Sequence, residues 1–447
     1  MMRRMSPPGR PKGEYRRAEP EGNLMTRNPL DDIVVDSLPA VRRSRRIAVV
    51  TETYPPEVNG VAMSLARLVA GLHACGHDLQ LIRPRQPVAQ PPESHSRFEE
   101  FLTRGWQIPR YPDLRMGVPS KRALVQLWSL RRPDVVHVAT EGPLGWSALQ
   151  AALHLKLPVT SDFRTNFHAY GQHYKVGWLA KPIMAYLRKF HNRADCTMVP
   201  TEALRAQLSA QGFERITVVS RGVDTRLFDP QRRSEALRQR WGATTPESPV
   251  LICVGRLAPE KNLAAVLDAY QAVRDANPEA RLVLVGDGPM RAELRARCPD
   301  AIFAGQRHGE DLAAHYASAD LFLFPSLTET FGNVVVEAMA SGLPVVAFDR
   351  AAAGQLIRSG RNGVLVDGED GAAFTRAALA LLGDPQRCVA MGAAARESVR
   401  GFGWEDVVRR FESVLMQAID RQPEGRYAAS AVLSSLPGNA PARPTAT

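Results

Sequence analysis

From Arg46 onward the chain alternates short apolar runs with amphipathic stretches. IAVV (47–50) is a run of strand length, a turn-rich ETYPPEVNG follows, and Val61, Leu65, Leu68, Val69 and Leu72 then recur at helical spacing, which predicts strand, loop and helix. Further runs of strand length stand at 79–82, 134–139, 158–163, 196–200 and 216–220, each next to a helical stretch. The pattern restarts at PVLICVGR (249–256). Loop LAPEKN, a helix at 262–276, strands in RLVLVGDG and AIFAG, a helix at 309–318, a strand in ADLFLFPS, a helix at 333–340 and a strand in PVVAF come next. Apolar strands alternating with helices imply parallel sheets covered on both faces, so the chain reads as α/β with two doubly wound units. Their expected extents are 46–225 and 226–403, with the join in the segment 221–248. A last helix near 404–420 (WEDVVRRFESVLMQAI) follows the second unit and is expected to pack back on the first.

Composition adjusts this picture at the ends. The net charge of +11 invites a nucleic-acid reading, but residues 1–46 hold 11 Lys/Arg against 6 Asp/Glu and residues 421–447 hold 3 against 1, so most of the excess lies outside the two units. These ends also carry 10 of the 34 prolines and only two aromatics, Tyr15 and Tyr427, so 1–45 and 421–447 read as disordered tails. A nearly balanced body without a reader motif points away from nucleic acid. No stretch approaches the ~18 apolar residues of a spanning helix, and no secretory signal opens the chain, so the expected location is cytoplasmic. Cys75, Cys196, Cys253, Cys298 and Cys388 are widely spaced and show no metal-ligand pattern, so they read as buried thiols.

In open parallel sheets, ligands bind beyond the carboxyl ends of the strands. Asn59-Gly60-Val61 lies at such an end, where Gly60 suits either a close anion contact or a plain tight turn. No GxGxxG follows a strand, so a nicotinamide dinucleotide is not indicated. Gly255, Arg256 and Lys261 follow strand 250–254, a pair of cations suited to a diphosphate or to a solvated surface. Gly286-Asp287-Gly288-Pro289 ends the next strand at the same edge. Thr328-Glu329-Thr330-Phe331-Gly332-Asn333 leads into a helix, with Glu337 placed about two helical turns inside. Carboxylates there suit sugar hydroxyls, or helix capping and solvent.

The ordered set VGRLAPEKN, VGDGPM, FPSLTETFGNVVVEAMASGLPVVA and SGRNGVLV resembles the donor half of family 4 retaining glycosyltransferases of the GT-B fold, in which two Rossmann-like domains face each other across a cleft. Glu329 and Glu337 match that family's E-x7-E motif, and TETYPPEVNGV, RADCTMVPTEAL and RGVDTRLFDP resemble its first half and interdomain stretch. The resemblance spans about 46–420. It implies that Arg256 and Lys261 hold the donor diphosphate in place of a metal, with no metal or cofactor required. By the same comparison Glu337 binds the ribose and Glu329 faces the donor sugar, with the backbone of Phe331, Gly332, Asn333 and Val334 near sugar and phosphate. Asn59, Gly60 and Gly286 approach the diphosphate, and residues near Phe303–Arg307 read the base. Retention would follow a front-face route in which the leaving phosphate oxygen helps deprotonate the acceptor. Where family members often carry a first-domain histidine, this chain has Arg164; His168, His173 or Arg164 itself is the expected substitute.

Two segments bear on the acceptor. YKVGWLAKPIMAYLRKF (174–190) reads as a basic amphipathic helix, suited to an anionic membrane surface or to an ordinary core-facing position. Residues 104–122 read as a flexible basic loop. With RGVD, they resemble the subgroup acting on lipids, including GDP-mannose-dependent mannosyltransferases and sulfoquinovosyl transferases. The resulting expectation is hexose transfer from a nucleotide-diphosphate sugar, GDP-mannose ahead of UDP-hexoses, to a membrane-associated lipid or glycolipid by a peripheral enzyme. A soluble or polysaccharide acceptor, a same-fold sugar-nucleotide epimerase and a phosphorylase are the alternatives.

Overall fold

Among the described residues, thirteen of the sixteen strands run parallel to a neighbour, in two separate sheets, and the other three pair only antiparallel. A computed structural model of the chain describes residues 44–57, 59–86, 92–108, 111–164, 180–245 and 248–421. The expected tails fall almost wholly outside them. The first sheet has the order β10-β9-β8-β7-β1-β2-β4-β3. Its strands are β1 (Arg46–Val50), β2 (Asp78–Pro84), β3 (Ser94–His95), β4 (Phe98–Thr103), β7 (Val135–Val138), β8 (Val159–Asp162), β9 (Cys196–Val199) and β10 (Ile216–Val218). Between β4 and β7, β5 (Gly105–Ile108) and β6 (Tyr111–Gly117) form a separate antiparallel hairpin. The second sheet, all parallel, has the order β13-β12-β11-β14-β15-β16. It comprises β11 (Val250–Val254), β12 (Arg281–Val285), β13 (Ile302–Gly305), β14 (Leu321–Phe324), β15 (Val345–Phe348) and β16 (Val364–Val366).

Both sheets are doubly wound, and each has a point where the strand order reverses: β1 against β7 in the first, β11 against β14 in the second. At such a point neighbouring crossovers leave in opposite directions and open a crevice at the carboxyl ends. The central strands are buried along their lengths because helices cover both faces, which explains their continuous apolar sequences.

The helix Gly60–Ala74 starts where Asn59 Oδ1 accepts hydrogen bonds from Val61 N and Ala62 N, at 3.1 and 2.9 Å. Its Leu65, Leu68, Val69 and Leu72 are buried, each contributing roughly 1.5–3 kcal/mol over exposure. The closing helix Trp404–Asp420 shares this core through Val407, Phe411, Leu415 and Ile419. Gly71 permits the contact, since a Cβ there would lie 2.3 Å from Val408 Cγ2. His77 Nε2 meets Glu412 Oε1 at 3.1 Å across the same seam.

Two expectations need correction, and one choice between readings is decided. Residues 104–122 are not a loop: they form the β5–β6 hairpin and the start of the helix Lys121–Leu130. Of the amphipathic segment 174–190, residues 174–179 lie outside the described residues. The helix Ala180–His191 turns Leu187 and Phe190 into the core, which is the ordinary core-facing reading of that part. The helix bearing Glu337 begins at Asn333, so Glu337 sits about one turn inside it, not two. The five cysteines are free thiols, with Cys196, Cys253 and Cys388 buried and Cys75 and Cys298 partly so.

Candidate active site

The loops leaving β11 and β12 are pressed together by backbone alone. Gly255 N donates to Val285 O, Leu257 N to Asp287 O and Met290 N to Leu257 O, at 2.9, 2.9 and 3.0 Å. Gly286 has φ +134, and a Cβ there would stand 1.9 Å from Gly255 O, so only glycine fits the contact. The clamped backbone leads into a short 3-10 turn, Pro259–Lys261, which Asn262 ends in the left-handed region at φ 51 before the helix Leu263–Ala276. Arg256 is 40% exposed and lies 3.7 Å from Glu260 Oε1. Lys261 Nζ sits 5.9 Å from the centre of the Phe324 ring and donates to Glu329 Oε1.

Glu329 stands in the loop after β14, where Ser326 Oγ also donates to its Oε1 at 3.1 Å. Gly332, at φ +89 and close under Phe324, turns that loop into the helix Asn333–Ala340. The first amides of that helix, including Asn333 N and Val334 N, have no partner within the helix and make a favourable end for an anion. The Phe331 side chain is buried in the second sheet's core, so this residue faces the site through its backbone. Glu337 accepts from Tyr316 Oη at 3.0 Å, and burial pushes its carboxyl up to about 7. Its neutral and charged forms are therefore both populated near pH 7.

The first sheet contributes the opposite wall. Gly60 follows β1 at the sheet's reversal point, and a Cβ on it would lie 3.8 Å from Asn333 Nδ2, so the two units approach each other here. Asn59 caps its helix with Oδ1 and donates from Nδ2 to Thr53 Oγ1 at 2.8 Å, which commits its side chain. Arg164, at the end of β8, is 3% exposed. Its guanidinium lies 2.6 Å from Asp162 Oδ2 and donates to Ser64 Oγ at 2.8 Å, while Arg221 adds a 3.3 Å contact to Asp162 Oδ1. Burial alone would raise the Asp162 carboxyl, but the two guanidinium groups outweigh it and hold it at about 2. The expectation that the Arg164 side chain reaches sugar or phosphate therefore meets a buried ion pair instead. What Arg164 offers the cleft is its carbonyl, which accepts from Thr330 Oγ1 at 3.1 Å and ties the loop of Glu329 to the first unit. His168 and His173 lie outside the described residues.

Arg256, Lys261, Gly286, Glu329, Gly332, Asn333, Val334 and Glu337 thus share the carboxyl edge of one sheet, with Gly60 facing them from the other. Glu52 is a group the motif reading passed over. Its carboxylate accepts from Leu144 N and Gly145 N at 2.8 and 3.4 Å, at the start of the helix Pro143–His154, and from Gly117 N at the end of the hairpin. Burial nevertheless raises it to about 7, because desolvation outweighs those amides. The sequence signal was a lone acid directly after a strand, in TETYPP.

Comparison with known proteins shows the family and the fold. Residues 58–227 match the family model described as Glycosyltransferase Family 4, and residues 248–384 match the one described as Glycosyl transferases group 1. A GDP-mannose-dependent alpha-mannosyltransferase of Mycolicibacterium smegmatis is 37% identical over 379 residues, covering 83% of this chain and 98% of the relative. An alpha-monoglucosyldiacylglycerol synthase of Streptococcus pneumoniae is 29% identical over 345 residues, covering 72% and 76%. Among solved structures, a sucrose-phosphate synthase from Thermosynechococcus elongatus superposes with a TM-score of 0.66 at 20% identity, covering 85% of this chain and 100% of that one. The fold is GT-B.

Proposed function

The chain belongs to glycosyltransferase family 4 and is a hexosyltransferase, and we propose that it moves a hexose, with retention, from GDP-mannose to a membrane-associated lipid or glycolipid acceptor. The observation that carries the reading is the meeting of two cations, a helix amino terminus and two carboxylates at one sheet edge. In it, Arg256 and Lys261 bind the donor diphosphate and stabilise the leaving nucleotide, with no metal in the step. The amides at Asn333 and Val334 take a phosphate or sugar oxygen, Glu337 accepts from the ribose hydroxyls, and Glu329 accepts from hydroxyls of the donor hexose. The leaving phosphate oxygen receives the acceptor's proton as the new bond forms on the face from which the nucleotide departs.

GDP-mannose is favoured over UDP-hexoses by the similarity to the mannosyltransferase. A lipid acceptor is supported by the likeness to the diacylglycerol glycosylating enzyme and by the hairpin of the first unit. There Trp106 is 74% exposed and pairs across the strands with Met116, at 38%, while Arg104, Lys121 and Arg122 are exposed nearby. Such a surface suits an anionic bilayer. No helix among the described residues is long and apolar enough to cross a membrane.

The first test is thermal stabilisation by a panel of nucleotides and nucleotide sugars, because a ligand at 100 times its dissociation constant adds about 2.7 kcal/mol. A selective shift with GDP and GDP-mannose is expected, followed by transfer of labelled mannose to lipid extracted in organic solvent. A shift with uridine nucleotides alone would reassign the donor, and label released as free mannose at an unchanged rate with or without lipid would remove the lipid acceptor.

A further inference from the structure

Between Arg256 and Lys261 in the chain stands a carboxylate to which the transfer chemistry gives no part. Glu260 occupies the middle of the Pro259–Lys261 turn and is 2% exposed. Its Oε1 lies 3.7 Å from the Arg256 guanidinium, and its Oε2 is buried without a hydrogen-bond partner among the described residues. Its own carbonyl accepts from Leu327 N at 2.9 Å and from Ser326 Oγ at 3.4 Å. Ser326 Oγ is in turn 3.1 Å from Glu329 Oε1. One residue therefore touches Arg256 with its side chain, precedes Lys261 in the chain, and anchors through its backbone the loop that carries Glu329.

The backbone contacts need no particular side chain, and the carboxylate is poorly compensated where it lies. A buried charge held by one loose partner is a liability to the fold, and a neutral group of the same shape is often as stable or more so. Its consequence lies at the site, where a carboxylate beside the half-exposed Arg256 draws that guanidinium back toward the turn. A planar fork binds two phosphate oxygens only when its orientation is held.

We propose that Glu260 is a positioning residue that orients Arg256 for the donor diphosphate. This inference rests on the reading of Arg256 and Lys261 as the diphosphate site.

Calorimetric titration of the full chain with GDP, UDP, guanosine and uridine tests it in Glu260→Gln, Arg256→Ala, Lys261→Ala and the double variant Glu260→Gln/Arg256→Ala. Glu260→Gln is expected to melt no lower than the parent, to bind whichever diphosphate the parent binds about tenfold more weakly, the worth of one oriented charge-assisted hydrogen bond, and to bind the matching nucleoside as before. The double variant is expected to be no weaker than Arg256→Ala alone, since Glu260 acts through that side chain. Where the amide variant does not fold, Glu260→Met, close in volume, carries the same expectations. Parental diphosphate affinity in the Glu260 variant while Arg256→Ala is weakened overturns the positioning role, as do losses that add in the double variant. Parental affinity in both Arg256→Ala and Lys261→Ala overturns the diphosphate site on which the inference stands.

Discussion

Lys261 Nζ donates to Glu329 Oε1, so the turn after β11 and the loop after β14 are joined by an ion pair inside the proposed donor site. A diphosphate entering that site competes with the carboxylate for the same ammonium and is repelled by it. Two unit charges about 6 Å apart at an effective dielectric of ~40 interact by roughly 1 kcal/mol. Glu329→Gln is therefore expected to bind the nucleoside diphosphate product about fivefold more tightly, while turnover of the sugar nucleotide falls on the order of a hundredfold. Titration beside steady-state kinetics checks both halves, and weaker product binding in the variant would show that Glu329 does not oppose the diphosphate.

Glu337 gives the site a pH dependence whose sign is fixed by its burial. The carboxyl is raised to about 7, so it passes from mostly neutral at pH 6 to mostly charged at pH 8, and only the charged form is a full acceptor for two ribose hydroxyls. Donor affinity should rise severalfold across that interval and level off above it. Glu337→Gln should bind weakly with little dependence on pH. The stability consequence runs the other way: an acid with a raised folded-state pKa contributes stability present below its ordinary value of 4.5 and lost as pH rises through 7. The melting temperature of Glu337→Gln should thus fall less than the parent's between pH 5 and 8. Glu52, raised to about 7 by its own burial, leaves part of the fall in place. Parallel melting curves for the two proteins would contradict the shift at Glu337.

Gly286 is the position at which one methyl group should cost the most. At φ +134 an alanine is strained, and its Cβ would overlap Gly255 O at 1.9 Å, so the two loops must part. Gly286→Ala is expected to lose about 2–4 kcal/mol of stability and to bind nucleotide poorly, because the backbone that aims Arg256 and Lys261 moves with Gly255. Urea titration and nucleotide binding measure the two effects. Gly305→Ala, at φ +75 with open space around its Cβ position, is the milder control. Equal losses in both variants would mean that backbone strain alone, not the contact between the loops, sets the cost.

How much of this was legible depended on distance along the chain. β11, β12 and β14 announce themselves as continuous apolar runs because both their faces are covered, and the loops after them carry their chemistry within a few residues of the strand end. β4 was not legible: its FEEFLT places Glu100 inside, where Arg83, from the neighbouring β2, pairs with it at 2.6 Å. Nor could local pattern reveal Glu52, whose partner amides stand 65 to 93 positions away. Arg164 shows the limit of motif transfer. Its place in the sequence marked a cleft residue, but Asp162 and Ser64 hold its guanidinium in the interior, and only its carbonyl reaches the loop of Glu329.

The hairpin offers the most direct test of membrane contact. Directly opposed residues on paired strands project from the same face, so Trp106 and Met116 form one exposed apolar patch, with Arg104, Lys121 and Arg122 exposed near it. Inserting a large apolar side chain below the headgroups contributes roughly 1.5–3 kcal/mol, and each basic residue near an anionic surface about 1 kcal/mol. The double variant Trp106→Ala/Met116→Ala should therefore sediment with phosphatidylglycerol vesicles at least tenfold more weakly than the parent. Its affinity for nucleotide should be unchanged, because Trp106 and Met116 belong to a separate hairpin and the proposed donor-site loops follow strands of the second sheet. Raising salt should weaken the parent further, through the arginines and lysine, whereas vesicles of phosphatidylcholine alone should hold it poorly at any salt. Sedimentation of the double variant at the parental level would show that Trp106 and Met116 are not the lipid contact, and would leave the acceptor's route to the cleft to another surface of the first unit.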